Sequence, residues 1–322
     1  MKLLYLSRAD VEAVGLSMPE IIESVTAAFR EKGNGRIEMP PKPGVHPGAN
    51  TFAHAMPAYI PALRSVGIKW VSGNPENPKQ GIPQINGLVI LNDPDTVVPI
   101  AVMDCTWITA KRTGAATAVA ATWLARSDSR SLGILGAGVQ GFSNLEALKC
   151  VFPIERVGVY DVSAESAERY RAKVLAQWPD LAVSIVDQPR KAVDGMDLVV
   201  TAGPIVRPPH ATIKAGWLGK GAFASALDYD SYWDRAALRE ADKFTTDDTA
   251  QLEDHKKLGY FKDVPPVYGD LGEIVAGTKK GRERPDERNI ACNLGLAIDD
   301  MAVAPLVYAR ARERGVGTWL DL

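Results

Sequence analysis

The feature that most constrains the fold is residues 131–148, SLGILGAGVQGFSNLEAL, in which a short apolar run leads into three spaced glycines. Gly136, Gly138 and Gly141 form the pattern G-x-G-x-x-G, and we expect an amphipathic helix after Gly141. In a strand–turn–helix unit the first glycine permits a tight turn, the second lets the backbone approach a pyrophosphate, and the third allows close packing. The helix N-terminus then faces the phosphates with its N–H groups. The segment predicts a dinucleotide-binding turn.

A carboxylate, Asp161, ends the next predicted strand, RVGVYD. A carboxylate at this place accepts hydrogen bonds from the ribose hydroxyls of NAD and repels the 2′-phosphate of NADP. Residues 162–164, Val-Ser-Ala, contain no arginine that could hold such a phosphate. The sequence therefore favours NAD over NADP as cofactor, and a glycine turn in a nucleotide-free α/β domain is the alternative interpretation.

The pattern of elements changes at residues 127–130, SDSR, which we interpret as a hinge. After it, strands alternate with helices, which is typical of a doubly wound parallel sheet. Before it, several predicted strands are followed by one apolar, alanine-rich helix over residues 106–125. The C-terminal TWLDL is expected to be a strand that returns to the first domain. The predicted fold class is α/β, with a β-rich α+β domain over residues 1–127 and a Rossmann-type domain over residues 128–292.

Charge and cysteine content limit the partners and the compartment. Among 322 residues, 37 basic and 39 acidic side chains give a formal net charge of −2, so electrostatics give no reason to expect nucleic acid or an anionic membrane as a partner. No stretch approaches the roughly 18 uncharged apolar residues that span a bilayer. The odd number of cysteines suits reduced thiols, and we expect a cytoplasmic protein.

Cations in the first domain are candidate ligands for an anion. Lys69 lies in the predicted strand GIKWV, and Lys111 and Arg112 are the charges in the apolar helix. Because a buried cation without a partner is costly, such groups face an anion or reach water. Arg112 could hold a carboxylate or phosphate with its planar fork, and an internal salt bridge or a surface position is the alternative. Lys42 lies in a loop rich in proline and glycine.

An acidic residue, Asp228, follows the predicted strand of the segment KGAFASALD. Ligands of open α/β sheets gather at the carboxyl ends of strands, and a carboxylate there could act as a general acid or base. Asp230 and Asp234 lie close by in the sequence, and a helix-capping role is the alternative interpretation. The four histidines show no metal-ligand spacing, so no metal site is predicted.

Several long segments give the chain a resemblance, nearly from end to end, to the ornithine cyclodeaminase/mu-crystallin family. They are IKWVSGNPENP (68–78), GIPQINGLVILND (81–93), ITAKRTGAATAVAATWLAR (108–126), LGILGAGVQG (132–141) and GLAIDDMAVAPLVYARARERGVGT (295–318). The resemblance implies that residues 293–322 complete the first domain, which binds substrate and forms a homodimer, and that the dinucleotide domain is inserted between these two parts.

The resemblance also implies roles for individual residues. Asp228 would be the acid/base beside the nicotinamide, and Lys69 and Arg112 would hold the substrate carboxylate or assist at the reacting nitrogen. The implied cofactor contacts, with NAD as the cofactor, are Gly136, Gly138, Val139, Gln140, Gly141, Asp161, Thr113, Thr201 and Asn293.

Two segments depart from the family pattern. Lys42 stands where a cyclodeaminase has a carboxylate-binding arginine, and a lysine offers a point charge instead of a bidentate fork. After Asp228, this chain has Tyr-Asp-Ser-Tyr-Trp where the family has a short Pro-Gly-Lys. We expect the bulky aromatic side chains to reshape the pocket wall beside the substrate side chain, which argues against ornithine as the substrate.

These observations predict an NAD(P)-dependent oxidoreductase that acts on the C–N bond of a small amino acid or imino acid, as a ketimine reductase or an amino-acid dehydrogenase. Cyclodeamination of ornithine to proline and ammonia, with NAD recycled, is one alternative. A nucleotide-binding protein of the mu-crystallin type without turnover is the other. The expected partners are the small-molecule substrate and a second copy of the chain.

Overall fold

The computed structural model describes residues 1–48 and 50–322, which form two compact units, Met1–Arg112 with Gly295–Leu322 and Thr113–Leu294. In chain order the first elements are β1 (Lys2–Leu6), α1 (Arg8–Ala13), α2 (Met18–Gly33), β2 (Gly44–Val45), β3 (Phe52–Ile60), β4 (Ser65–Gly73), β5 (Ile85–Asn92), β6 (Pro99–Asp104) and α3 (Thr106–Leu124).

The second group of elements alternates between strands and helices. It consists of β7 (Ser131–Leu135), α4 (Val139–Val151), β8 (Arg156–Tyr160), α5 (Ala164–Gln177), β9 (Ala182–Ile185), β10 (Leu198–Thr201), β11 (Phe223–Ala226), α6 (Arg235–Leu238), β12 (Lys243–Thr246), α7 (Thr249–Lys257), β13 (Gly269–Asp270), α8 (Leu271–Val275) and β14 (Asn289–Cys292). The chain ends with α9 (Ala297–Arg314) and β15 (Thr318–Asp321).

The unit that contains both chain ends is built on a mainly antiparallel sheet, ordered β15-β1-β6-β5-β4-β3-β2. β15 pairs with β1 in antiparallel register, so the expected return of the C-terminal strand is confirmed. Because side chains alternate along a strand, Lys69 faces one side of the sheet while Trp70 faces the other. Helix α9 packs against β3, β4, β5 and α2.

The sequence of helix α2, which packs against α9, explains why this helix forms. Ser17 precedes the helix, and its backbone N–H donates to Glu20 Oε2 at 2.8 Å, as expected for a capping box. The apolar side chains of Ile21, Val25 and Phe29 recur at helical spacing and are fully buried. The predicted N-terminus of this helix is therefore confirmed.

The other unit contains a parallel sheet ordered β13-β12-β14-β11-β10-β7-β8-β9. Each of the seven neighbouring strand pairs of this sheet runs in parallel. The chain order reverses between β7 and β10, which is the topological switch point where open α/β sheets bind ligands. The predicted doubly wound Rossmann-type sheet is confirmed.

Candidate functional site

The glycine turn joins β7 to α4. Gly136 has a φ of +109°, and a Cβ there would lie 2.6 Å from the carbonyl oxygen of Ala202, so only glycine fits. A Cβ on Gly141 would lie 2.3 Å from the carbonyl oxygen of Gly136. Helix α4 begins at Val139 with Gly138 as its N-cap. The expectation that the helix follows Gly141 is therefore wrong, because the turn is so tight that Gly141 already lies in the first helical turn.

Gly138 has a different surrounding from the other two glycines. Its φ is −93°, and among the described residues a Cβ there would meet no atom within 4 Å. The backbone at Gly138 is therefore open on the side where a Cβ would stand. The first residues of the helix are Val139, which is 67% exposed, and Gln140. The first N–H groups of a helix lack intrahelical partners. A pyrophosphate fits the polarity of this helix end.

Asp161 follows β8 and is tied to the glycine turn. Its Oδ2 accepts from the Ala137 N–H and its Oδ1 from the Ser163 N–H, each at 2.8 Å. These bonds hold the carboxylate after the end of β8, beside the glycine turn. Thr113 lies half-buried on α3, next to Gly114, where a Cβ would lie 2.4 Å from the Ser143 carbonyl oxygen in α4.

The carboxyl ends of adjacent parallel strands bring the other predicted cofactor and acid/base residues together. Thr201 is the last residue of β10, Asp228 follows the end of β11, and Asn293 directly follows β14. Since β14, β11, β10 and β7 are neighbours in that order, these side chains share one sheet edge with the glycine turn. They follow strands on one side of the switch point, at the carboxyl ends where open α/β sheets bind ligands.

Asp228 is fully buried and held by two donors. The Thr201 hydroxyl donates to its Oδ1 at 2.8 Å, and the Gly203 N–H donates to its Oδ2 at 3.2 Å. Burial raises the pKa of Asp228 from 3.8 to about 7, against the lowering effect of these two hydrogen bonds. A carboxyl group with such a pKa can both accept and release a proton near neutral pH.

Asn293 lies beside this carboxyl group at the sheet edge and is 5% exposed. Neither its amide oxygen nor its amide nitrogen has a hydrogen-bond partner within residues 1–48 and 50–322. A buried amide without partners is costly, and a polar ligand at the sheet edge would remove this cost. The open position at Gly138 and the buried Asn293 amide both fit the polar groups of a dinucleotide.

The unit with the chain ends holds the predicted cations in a buried cluster. Lys69 is 0% exposed, and its Nζ lies 2.6 Å from Asp300 Oδ2. The Arg112 guanidinium lies 3.2 Å from Asp299 Oδ2 and 3.2 Å from Asp300 Oδ1. Two cations thus face two carboxylates from the first turn of α9, and the internal salt bridge foreseen as an alternative is present.

Burial changes the proton affinities within this cluster. It lowers the pKa of Lys69, and the positive charge of Arg112 lowers it further, while Asp300 opposes both effects. It raises the pKa of Asp299 to about 6, although Arg112 acts in the opposite direction. Because each charge depends on its neighbours, removal of one member leaves an uncompensated buried charge.

Lys42 lies at the edge of the same cluster. Its Nζ donates to the carbonyl oxygen of Gly295 at 3.3 Å, and a Cβ on Gly295 would lie 2.8 Å from Arg112 Nη1. Lys42 and Arg112 therefore both lie against Gly295, although they are far apart in the sequence. With Lys42 included, the side chains carry three positive and two negative formal charges, which favours an anionic ligand.

Sequence reasoning missed Asp299 and Asp300 as partners of these cations. The signal was the pair of adjacent acidic residues in the otherwise apolar run GLAIDDMAVAP. Acidic residues are common in a first helical turn. The pair Asp299-Asp300 is therefore also typical of an ordinary helix N-terminus. Their full burial and their contacts with Lys69 and Arg112 show that they balance charge.

In the part of the chain that the structure describes, no three His, Cys, Asp or Glu side chains are arranged to hold a metal ion. No helix in that part combines the length and the apolar character needed to cross a membrane. Asp230 and Asp234, the two other aspartates considered from the sequence, have partners of their own: Asp230 accepts from the Phe261 N–H, and Asp234 is the N-cap of α6.

Known families and proteins are similar to the chain over nearly its whole length. The model of the ornithine cyclodeaminase/mu-crystallin family matches residues 1–315. Alanine dehydrogenase from Archaeoglobus fulgidus is 36% identical over 327 residues, which cover 99% of this chain and 98% of that protein.

Two solved structures extend the comparison to the fold. Delta(1)-pyrroline-2-carboxylate reductase from Thermococcus litoralis, in complex with NADH and L-proline, gives a TM-score of 0.89 at 36% identity and covers 98% of this chain and 99% of that one. An archaeal alanine dehydrogenase dimer with bound NAD gives a TM-score of 0.89 at 35% identity over the full length of both chains. The activities named for these relatives are oxidations or reductions at a C–N bond, in agreement with the sequence-based prediction.

Proposed function

Because the chain belongs to the ornithine cyclodeaminase/mu-crystallin family, we propose that it is an NAD-dependent oxidoreductase of small amino or imino acids. The observation that carries this proposal is the buried Asp228 carboxyl group, whose pKa is raised to about 7 by burial at the ligand-binding edge of a dinucleotide-type sheet. The reaction is that of an amino-acid dehydrogenase or, in reverse, a ketimine reductase.

The proposed cofactor is NAD, which supplies or accepts the hydride. The glycine turn and the start of α4, with Val139 and Gln140, bind its pyrophosphate, and Asp161 accepts hydrogen bonds from the adenosine ribose. We assign Thr113, Thr201 and Asn293 to further cofactor contacts. The assignment of Asn293 is supported by its buried amide, which makes no hydrogen bond to the described residues. The Asp161 carboxylate disfavours the 2′-phosphate of NADP.

Asp228 is assigned the proton transfer. In the oxidative direction, the α-carbon loses a hydride and the amine nitrogen loses a proton to Asp228, which leaves an imine. Addition of water to a linear imine then gives a 2-oxo acid and ammonia. In the reductive direction Asp228 returns the proton to nitrogen. A carboxyl group with a pKa near neutrality suits both directions, because it exchanges its proton without a large driving force either way.

The substrate carboxylate is assigned to the cation cluster. Arg112 offers a planar fork and Lys42 a second positive charge, both beside Gly295. Lys69, to which the family resemblance gives a catalytic role, is fully buried against Asp300. We propose that its positive charge compensates the negative charge of Asp300. The positive charge of Arg112 is then not consumed by Asp299 and Asp300 together, and it can attract the substrate carboxylate. The sequence-based domain assignment is part of this proposal: residues 1–127 with 293–322 bind substrate, and residues 128–292, together with Thr113 and Asn293, bind the cofactor.

The proposal includes a homodimer formed through the antiparallel sheet. Opposite the α9 side, this sheet presents Trp70 and Leu88, which are register partners and are 46% and 43% exposed. Ile68, Val102 and Tyr5 continue the same apolar face along neighbouring strands. Large exposed apolar faces mark interaction sites, and the archaeal alanine dehydrogenase relative is a dimer. We also propose a cytoplasmic location, on the basis of the odd number of cysteines.

Light scattering tests the dimer. We expect twice the chain mass at micromolar concentration, and a monomer for Leu88→Lys, which places a charge in the apolar face. Leu258→Lys, at a 53% exposed leucine in the dinucleotide-binding unit, is the matched control and should remain dimeric. A monomeric parent protein would contradict the proposal.

The activity is tested by absorbance at 340 nm with purified protein. One panel contains amino acids with NAD, and the other contains cyclic imino acids, or 2-oxo acids with ammonia or methylamine, together with NADH. We expect sustained NADH formation or consumption with one substrate and its loss in Asp228→Asn. Ammonia release from ornithine without net NADH change would instead identify a cyclodeaminase. Binding of NADH with no turnover in either panel would favour the non-catalytic, mu-crystallin-type alternative.

A further inference from the structure

Trp233 lies at the end of the segment that departs from the family pattern, and it reaches the acid/base group through one intermediate. Its indole Nε1–H donates to Thr201 Oγ1 at 3.2 Å, and the Thr201 hydroxyl donates to Asp228 Oδ1 at 2.8 Å. We propose that Trp233 is a positioning residue, which fixes the Thr201 hydroxyl as a donor to Asp228. This inference rests on the proposed acid/base role of Asp228.

The backbone holds Trp233 in place for this contact. The side chain is 2% exposed and packs in the hydrophobic core of the dinucleotide-binding unit. The Trp233 N–H donates to the Asp230 carbonyl oxygen at 3.1 Å, and the Ser231 N–H to the Asp228 carbonyl oxygen at 3.1 Å. The Ile213 N–H donates to the Tyr232 carbonyl oxygen at 2.7 Å. The segment is therefore a tight turn in which Asp228 and Trp233 are positioned together.

The direction of the hydrogen bonds follows from the groups involved. An indole N–H can only donate, and a threonine hydroxyl has a single proton. With Trp233 using one acceptor site of Thr201, the hydroxyl proton is directed to Asp228 Oδ1. A hydroxyl that accepts a hydrogen bond is also a stronger donor. Both effects favour the charged carboxylate, and they leave Oδ2, beside the Gly203 N–H, as the oxygen that carries the transferable proton.

The surrounding titratable groups do not supply this control. Among the described residues, Asp230, Tyr232 and Cys292 are titratable groups that interact electrostatically with Asp228. Burial raises the pKa of Tyr232 to about 12, and it raises that of Cys292 well above its usual value, so both are neutral when Asp228 titrates. Asp230 is an acid that raises the pKa of Asp228. Thr201 and Gly203 are thus the neighbours that favour the charged form.

The test compares Trp233→Phe with the parent protein in the pH profile of kcat for amino-acid oxidation. Phenylalanine keeps an aromatic ring and removes the indole N–H. Loss of the indole N–H weakens the hydrogen bond from Thr201 to Asp228, and a weaker hydrogen bond disfavours the carboxylate form. We therefore expect the acidic limb of the profile to move to higher pH by about half a pH unit to one pH unit. Trp217→Phe, at a tryptophan packed against the same core, is the matched control and should leave the limb in place.

A double-mutant cycle separates positioning from a structural role. Thr201→Val removes the hydroxyl through which Trp233 acts, so adding Trp233→Phe to Thr201→Val should cause no further shift of the limb. A full additional shift in the double variant would overturn the inference. An unmoved limb in Trp233→Phe alone, with only a lower melting temperature, would also overturn it, since that is the signature of lost packing.

A second readout keeps this inference distinct from the proposed function. This readout is the pH dependence of the unfolding free energy. It is measured for the parent protein and for Trp233→Phe, each with and without Asp228→Asn, and it reports the Asp228 proton equilibrium without any substrate. If Asp228→Asn retains turnover, the acid/base role fails, yet Trp233→Phe should still move this equilibrium upward. If Asp228→Asn abolishes turnover and Trp233→Phe moves neither readout, the positioning role alone is wrong.

Discussion

The proton equilibrium of Asp228 can be measured through stability, independently of any substrate. The folded protein raises the pKa of this carboxyl group from 3.8 to about 7 by burial, so the folded state binds the proton more tightly than the unfolded state. The stabilisation from this proton is fully present below pH 4 and is lost as the pH rises through 7. An asparagine at position 228 resembles the protonated carboxyl group and does not titrate. The Asp228→Asn variant therefore does not lose this stabilisation as the pH rises.

The magnitude follows from the two pKa values. A shift of one pKa unit corresponds to about 1.4 kcal/mol, so the full difference between 3.8 and about 7 is about 4 kcal/mol. Most of that change lies between pH 5 and pH 8. Over this range, we expect the unfolding free energy of the parent protein, relative to Asp228→Asn, to fall by about 2.5 kcal/mol.

Urea unfolding followed by tryptophan fluorescence at several pH values between 5 and 8 measures this difference. Asp234→Asn is the matched control, since hydrogen bonds from Ala236 and Lys214 lower the pKa of Asp234 and it stays ionised in both states above pH 5. Its difference from the parent protein should therefore be constant with pH. A constant difference for Asp228→Asn as well would refute the reasoning, because it would mean that Asp228 is ionised throughout.

Four further substitutions test the cofactor and substrate assignments. Gly138→Ala should weaken NADH binding at least tenfold in a fluorescence titration with an unchanged melting temperature, whereas Gly141→Ala should lower stability by about 1–3 kcal/mol because its Cβ meets the Gly136 carbonyl oxygen. Asp161→Ser should shift the ratio of kcat/KM for NADPH over NADH upward by about tenfold or more, since the repulsive carboxylate is removed. Arg112→Lys should raise the KM for the amino acid about tenfold or more, because a point charge replaces a fork; an unchanged KM would contradict its carboxylate-binding role.

The dinucleotide-type sheet was predictable because its signals are local in the sequence. The strand that leads into Gly136 and the strand that precedes Asp161 each carry their own hydrophobic pattern and turn residues, and together they define the start of the sheet. The placement of β14 between β11 and β12 had no such signal. Strand order depends on which hydrophobic edges meet in the folded chain, and a single sequence does not record that pairing.

The cation cluster was predictable only in part for a similar reason. Burial of Lys69 and Arg112 in apolar segments requires a counter-charge, and the sequence indicated that requirement. The identity of the counter-charge depends on α9 packing across β4, far along the chain. An anionic substrate and an internal carboxylate satisfy the same local pattern. The structure shows that Asp299 and Asp300 supply the internal charges.

Three nearby aspartates, Asp228, Asp230 and Asp234, illustrate what burial adds to pattern. In the sequence each could cap a helix or serve as an acid/base group. In the structure Asp234 caps α6 and pairs with Lys214, and Asp230 accepts from the Phe261 N–H, so each has a structural task. Asp228 caps no helix, lies fully buried, and is held by Thr201 and Gly203 at the edge of the sheet. Because desolvation raises the pKa of a carboxyl group, its burial at the carboxyl ends of the strands is what makes Asp228 the strongest proton-transfer candidate of the three.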